Sequence, residues 1–278
     1  MAKTLCKNVG IMSSIQPLTY IFLAAASFVA GSMNAVAGGG TLLTFPALLG
    51  AGIGPVVANA TSTLSLVPGS IAGAYGFRSE LPALARTVKL FAVPAFLGGF
   101  VGAKLMLWGG DSLLYKLVPW LILGASMLFI LQGPLSRMLA SRAGETKSDE
   151  AAFEALHKKG LFAAAFIFVV AIYGGYFGAG MGILTLAALG LAGFSNIHQM
   201  NGLKNIFAAS INVVATITFI AAGRIDWVIA LIMGTGAVLG ALCGARVALK
   251  VGPARVRQTV IAIGFGISAV IFWQQYHH

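Results

Sequence analysis

The segment FLGGFVGAKLML at 96–107 returns as VLGALCGARVAL at 238–249, 142 positions later. Leu97/Leu239, Gly98/Gly240, Gly102/Gly244 and Ala103/Ala245 are identical, and a basic residue follows in each copy, Lys104 and Arg246. LGAS at 123–126 answers FGIS at 265–268 at the same offset, and GGGTLLTFPAL at 38–48 answers AGMGILTLAAL at 179–189 one residue off it. Two copies of one apolar unit, each of roughly 110 residues, form the pattern of membrane carriers that hold a site between repeats.

The solvent such a unit expects follows from its charge. Hydrophobic residues make up 58% of the chain and charged residues 9%, where a soluble domain carries about 25% charged. That little charge cannot clothe a water-facing surface. Uncharged apolar stretches lie near 17–37, 56–77, 90–103, 117–131, 160–180, 205–223, 227–245 and from 258 onward. Several reach the ~20 residues that cross a hydrocarbon core about 30 Å thick. A transmembrane β-barrel would show alternating segments of about ten residues, and the chain has none. The expected fold is an all-α polytopic membrane protein with a first transmembrane repeat at 17–131, a charged linker at 132–159 and a second repeat at 160–275.

Each half reads as a long span, a glycine-rich break, a short apolar piece and three further spans. The short pieces, 41–50 and about 183–192, would rise only ~15–18 Å as helices, half the core. The expectation is therefore eight full spans plus two half-helix or re-entrant segments. If the short pieces also cross, there are ten crossings, five in each half, and the halves are inverted rather than parallel. The positive-inside balance differs by a single residue between the two and does not choose. Lys3 and Lys7 ahead of an apolar run ending in Ala35-Val36-Ala37 have the look of a secretory signal. The run has an embedded counterpart at 160–180, so a retained first span is expected. The net charge of +11 lies almost wholly between spans, and no basic stripe offers a face to nucleic acid. Cys6 and Cys243 form no motif.

Chemistry gathers on the helix after each short piece. Asn201, Lys204, Asn205 and Asn212 fall at i, i+3, i+4 and i+11, one helical face. The same offset in the first half gives Asn59, Ser62, Thr63 and Ser70. A polar stripe on an apolar helix faces protein or water rather than lipid. Two readings stand: hydrogen bonds between packed helices, worth ~0.6 kcal/mol each, or a cavity shared by the halves. Lys204 likewise has two, an ammonium snorkelling to the interface or a cation ringed by amide donors that suits a small anion.

The glycine breaks add to the second reading. Thr41, after Gly39 and Gly40, and Gly182, after Gly180, would stand near the N-termini of the short helices. There, free N–H groups and a partial positive charge favour an anion. Asn34 is a weaker candidate, matched by Gly175. Close helix packing is the competing role for glycine, and it fits the GxxxG pairs Gly69/Gly73, Gly98/Gly102, Gly236/Gly240 and Gly240/Gly244, which also allow a homodimer. All seven acids (Glu80, Asp111, Glu145, Asp149, Glu150, Glu154, Asp226) lie in loops or at span ends, which disfavours a cation carrier. Arg78-Ser79-Glu80 and Arg224-Ile225-Asp226 echo one another as capping or interface residues. His157, His198, His277 and His278 have no metal-ligand spacing, and no Walker loop, nucleophile elbow or HExxH is present. Neither enzyme chemistry nor a cofactor is expected.

Together the stretches 34–48, 59–81, 173–186 and 201–227 resemble the sulfite exporter TauE/SafE family over nearly the whole chain. The resemblance implies about eight spans in two homologous halves, in a bacterial inner membrane. It also implies export of sulfite, sulfoacetate or a related organosulfonate. The residue reading and the resemblance together favour secondary transport of a small anion by alternating access. Two readings compete with it: a permease for another small organic anion, and an assembly factor without a substrate.

Overall fold

The computed structural model describes residues 16–36, 39–76, 81–142, 160–191, 194 and 196–244, and near the C-terminus 258, 261–262, 265–266, 268–269 and 272–273. Gly38, the Arg78-Ser79-Glu80 echo, residues 143–159 of the linker and Arg246 lie outside the described residues. Every regular element among the described residues is helical. In order these are α1 (Pro17–Val36), α2 (Thr41–Gly50), α3 (Pro55–Gly76), α4 (Leu81–Arg142), α5 (Gly160–Tyr176), α6 (Met181–Leu191), α7 (Ile197–Ala221) and α8 (Trp227–Leu239). A π-helical turn, Gly240–Gly244, extends α8. α4 is two arms, because Gly110 sits at φ 63°, ψ −169° and interrupts the helix. Glycine pays no Cβ penalty there.

The helix pairings fix the path of the chain. α3 and α8 run in the same sense, since the Asp226 N–H donates to Thr61 Oγ1 at 3.1 Å while Gly69 faces the Ala237 carbonyl. α1 also runs with α8, placing Gly236 on the Ala24 carbonyl and Gly240 on that of Phe28. The first arm of α4 runs with α5, Gly98 on Phe168 and Gly102 on Ile172. It runs with α7 too, where Phe91 meets Phe207 edge-to-face at 6.0 Å and Gly99 meets Ile211. α3 begins where that arm ends, for Asp111 Oδ1 accepts the Val56 N–H at 2.8 Å. α3 and the first arm of α4 are therefore antiparallel, and so are α3 and α7.

The two short helices turn the chain back. α1 starts at the end of the bundle where α3 starts, and α2 returns there, with Gly54 beside Asp111. On the way, the Thr44 and Ser62 hydroxyls share a buried hydrogen bond of 2.6 Å that ties α2 to α3. α5 and α6 do the same from the opposite end, where Ile167, Leu189, Phe194, Met200 and Phe91 share one core. The result is two helical hairpins entering from opposite ends, their tips at Gly39 (φ 93°) and at Gly178 and Gly180 (φ 80° and 78°). Both tips rest on the second arm of α4. Gly39 lies on the Phe129 ring, and Gly180 on Leu128 and Ala125.

Glycine makes these approaches feasible. A Cβ at Gly102 would stand 2.1 Å from the Ile172 carbonyl oxygen, and one at Gly240 would stand 1.9 Å from that of Phe28. Gly98, Gly102, Gly236 and Gly240 are thus occupied by contacts inside one chain. Large apolar side chains point outward instead, such as Leu18 (71% exposed), Leu231 (68%) and Trp108 (84%). Among the described residues three helices are long and apolar enough to cross a membrane, and an outward apolar surface of this kind suits lipid. The acids that fall among the described residues cap helices: Asp111 caps α3, and Asp226 caps α8 by accepting from Ile229 N–H at 3.1 Å.

Two outcomes follow for stability. Gly102→Ala and Gly240→Ala force backbone apart and should each cost about 1–3 kcal/mol, whereas Gly124→Ala, with nothing near its would-be Cβ, should be neutral or gain about 0.5–1 kcal/mol. Thermal unfolding in detergent reads the difference, and equal shifts at all three would remove the packing argument. A double-mutant cycle on Thr44→Val and Ser62→Ala should return a coupling of about 1 kcal/mol. A coupling near zero would mean that the hydroxyl pair does not hold α2.

Candidate functional site

Where the hairpin tips meet, they enclose a small polar cavity with a volume of about 30 Å³. It is lined from one half by Asn34, Gly39, Thr41, Leu66 and Ser70, and from the other by Gly178, Met181, Gly182, Lys204, Asn205, Ala208 and Asn212. The location follows from the local fold. α1 and α5 stop at glycines part-way through the bundle, so α2 and α6 begin there. The first N–H groups of a helix have no intrahelical acceptor. Two helix N-termini, each with its partial positive charge, thus open on one hollow.

The side chains add donors. Lys204 is 2% exposed, and its Nζ has no hydrogen-bond partner among the described residues. Asn205 Nδ2 beside it is buried and also has none. Across the cavity Asn34 Nδ2 donates to Ser70 Oγ at 3.4 Å, and the Ser70 hydroxyl donates to the Leu66 carbonyl at 3.2 Å. No carboxylate is among the described residues that line the cavity. A buried cation without a counter-charge is costly, by several kcal/mol for its desolvation, and an anion entering the hollow would offset that cost. Lys204 does not snorkel; its ammonium is held in the protein interior.

The predicted site residues divide cleanly. The structure gathers Asn34, Gly39, Thr41, Ser70, Gly182, Lys204, Asn205 and Asn212 around the cavity. It places six others outside the lining. Asn201 is half-buried, about a turn nearer the start of α7. Asn59 Nδ2 donates to the Tyr176 carbonyl at 3.0 Å and to Met106 Sδ at 2.8 Å. Ser62 is taken up by Thr44, and the Thr63 hydroxyl donates to the Asn59 carbonyl of its own helix at 2.8 Å. The Gly40 carbonyl accepts from Leu43 N–H and Thr44 N–H, and Gly180 packs on α4. Four lining residues were not foreseen: Leu66, Gly178, Met181 and Ala208. Leu66 and Ala208 carry no polarity to betray them, but they sit at the 142-residue offset of the sequence echo, as Ser70 and Asn212 do.

Comparison with known proteins places this geometry in a lineage. A 28% identical relative from Haemophilus influenzae, described as a probable membrane transporter protein, aligns over 91% of this chain and 94% of its own length. The probable membrane transporter protein YfcA of Escherichia coli K12 is 27% identical over 94% of this chain and 93% of its own. The probable membrane transporter protein ORF9 of a Sinorhizobium species is 26% identical over 89% and 90%. No solved structure matches the chain. The family model for the sulfite exporter TauE/SafE family matches residues 23–271. This helical membrane protein belongs to that family.

Proposed function

We propose that the chain is a secondary transporter of the bacterial inner membrane that exports a small sulfur-containing oxyanion, sulfite or an organosulfonate, through the cavity between the hairpin tips. One observation carries the reading: a buried, unpartnered ammonium faces a hollow that two helix N-termini also face and no acid lines. Asn205 and Asn212 would donate from the same side as Lys204. Thr41, Ser70 and Asn34 would complete the shell from the other half. A shell with an ammonium, amide N–H groups and no carboxylate among its described residues suits an acceptor-rich, negatively charged cargo. The family's name for its model points to the same class of anion.

The antiparallel α3 and α7 support a finer topology. The first half is a hairpin followed by three crossings, α3 and the two arms of α4, and the second is a hairpin from the opposite end followed by α7 and α8, so the halves are inverted about the cavity in place of four crossings apiece. The ends of α4 and α5 that flank the linker then lie at the end opposite Gly110. With Arg86 and Lys89 also at that end, the positive-inside bias puts it in the cytoplasm. The cavity now has room for about two water molecules, less than the cargo needs. Transport therefore requires the tips to part, and rocking of one half on the other would open the hollow to each face in turn.

The test is flux in proteoliposomes. Wild-type protein should carry sulfite or sulfoacetate faster than acetate or lactate, and Lys204→Met should lose at least tenfold of that flux. Preference for the carboxylates would point to the second permease reading, and no flux of any anion to an assembly role. Thermal unfolding supplies an independent readout. Lys204→Met removes an unpaired buried charge, so the variant should unfold at the same or a higher temperature than wild type. Saturating sulfite, which should stabilise wild type by about 2.7 kcal/mol at a hundredfold excess over Kd, should leave the variant unmoved. A variant that transports normally, or is stabilised by sulfite as wild type is, would overturn the role of Lys204.

A further inference from the structure

The basic residue of the echoed GAK motif, Lys104, has no part in the central cavity. It stands on the outer face of the bundle, exposed, in a groove of about 390 Å³ between the first arm of α4 and α7. Phe96, Phe100, Val214, Ile217, Ala221 and Ala222 form the groove's apolar wall. Phe96 is 54% exposed and Ile217 58%, so the slot opens sideways, towards lipid. The Lys104 ammonium lies 5.6 Å from the centre of the Phe100 ring, one turn back on the same helix, within cation–π reach.

Position along the bundle matters as much as composition. Lys104 lies about a turn before Trp108, whose ring is 84% exposed, close to the Gly110 break. Arg224 follows Ala222 directly across the Gly223 turn, and it too is exposed. The apolar part of the groove therefore runs along the helices, while its charged part sits near their ends, at the depth where tryptophan marks the membrane interface. A second lateral groove, beside α1 and the end of α2, is lined by Gln16, Leu18, Thr19, Ile21, Phe22 and neighbouring small residues, with no charge among them. The two grooves have similar walls and differ in the cation.

We propose that the α4–α7 groove binds one anionic phospholipid, an acyl chain lying along Phe96, Phe100 and Ile217 and the phosphate held by Lys104 with Arg224 nearby. A zwitterionic lipid fits the same slot but cancels its own phosphate charge, so the site selects for net negative headgroups. The assignment stands apart from the transport reading, because none of these residues lines the central cavity.

Native mass spectrometry of the detergent-purified protein, titrated with phosphatidylglycerol and with phosphatidylcholine of matched chains, tests it. Wild type should retain one phosphatidylglycerol at least fivefold more tightly than phosphatidylcholine. Lys104→Ala should abolish that preference, Lys104→Arg should keep it, and Lys89→Ala, an exposed lysine elsewhere on the same arm, should not change it. Ile217→Trp, which fills the slot without touching charge, should weaken both lipids, and soluble glycerol phosphate should not displace the bound lipid. Equal retention of the two lipids by wild type would overturn the proposal, as would a preference that survives Lys104→Ala or falls equally in Lys89→Ala. Displacement by glycerol phosphate would show a headgroup-only site and overturn it as well.

Discussion

Contact of backbone against backbone at glycine is the constraint on which this bundle rests. Lipid is as apolar as leucine, so burying leucine between helices inside a membrane gains little, and helices associate through dispersion and close approach. The chain meets that demand at two places. α1 is seated on α8 by Gly31, Gly236 and Gly240, and α5 is seated on the first arm of α4 by Gly98, Gly102 and Gly175. Each hairpin is thereby fastened to the opposite half of the sequence. A hairpin that leaned only on its own half would leave its tip facing lipid; fastened across, it delivers the tip to the middle.

The tips are where ordinary helical accounting fails, and the site depends on that failure. An unbroken helix satisfies its own N–H groups and has nothing to offer a ligand at membrane depth. By ending α1 and α5 early and starting α2 and α6 in the interior, the chain brings two helix N-termini, with their partial positive charge, into the protein interior. Gly39 and Gly180 supply the left-handed turns. Phe129 and Leu128, from one arm of α4, brace both turns at once. A movement of that arm would be felt by both tips together, which is the kind of coupling that alternating access needs.

Much of this was legible in the residues, and the reasons for what was not are physical. Periodicity on α7 put Lys204, Asn205 and Asn212 on one face, and all three reach the cavity. The same reading extended to Asn201 and, through the echo, to Asn59, Ser62 and Thr63, which do not. A stripe defines the side of a helix that faces inward, but not the height at which the opposing hairpin ends. Only positions level with the tips line the hollow; those nearer the helix start meet packed neighbours and are consumed by hydrogen bonds to Tyr176, Met106 and Thr44. The relative direction of the long helices in the two halves was also beyond sequence counting, because the basic residues balance almost equally in either topology. Packing pairs such as Thr61 with Asp226 and Phe91 with Phe207 carry that information.

The comparison of Ser62 with Lys204 shows how a duplicated unit comes to hold an asymmetric site. They occupy matching places 142 residues apart. In the first half a small hydroxyl sits there and closes on Thr44, tying α2 to α3. In the second half Thr185 turns back to the Met181 carbonyl of its own helix at 2.9 Å, and the matching place on α7 holds a lysine whose ammonium has no hydrogen-bond partner among the described residues. One copy has used the position to lock its hairpin, the other to place a charge beside the tip. A second cation in the place of Ser62 would add a like charge to the same dry interior, and a second lock in the place of Lys204 would leave no ammonium to attract a ligand. A single cation opposite a locked hairpin avoids both. It leaves α6 without the corresponding hydroxyl tie, held instead by the apolar packing of Met181, Leu186 and Leu189 against α7 and its neighbours.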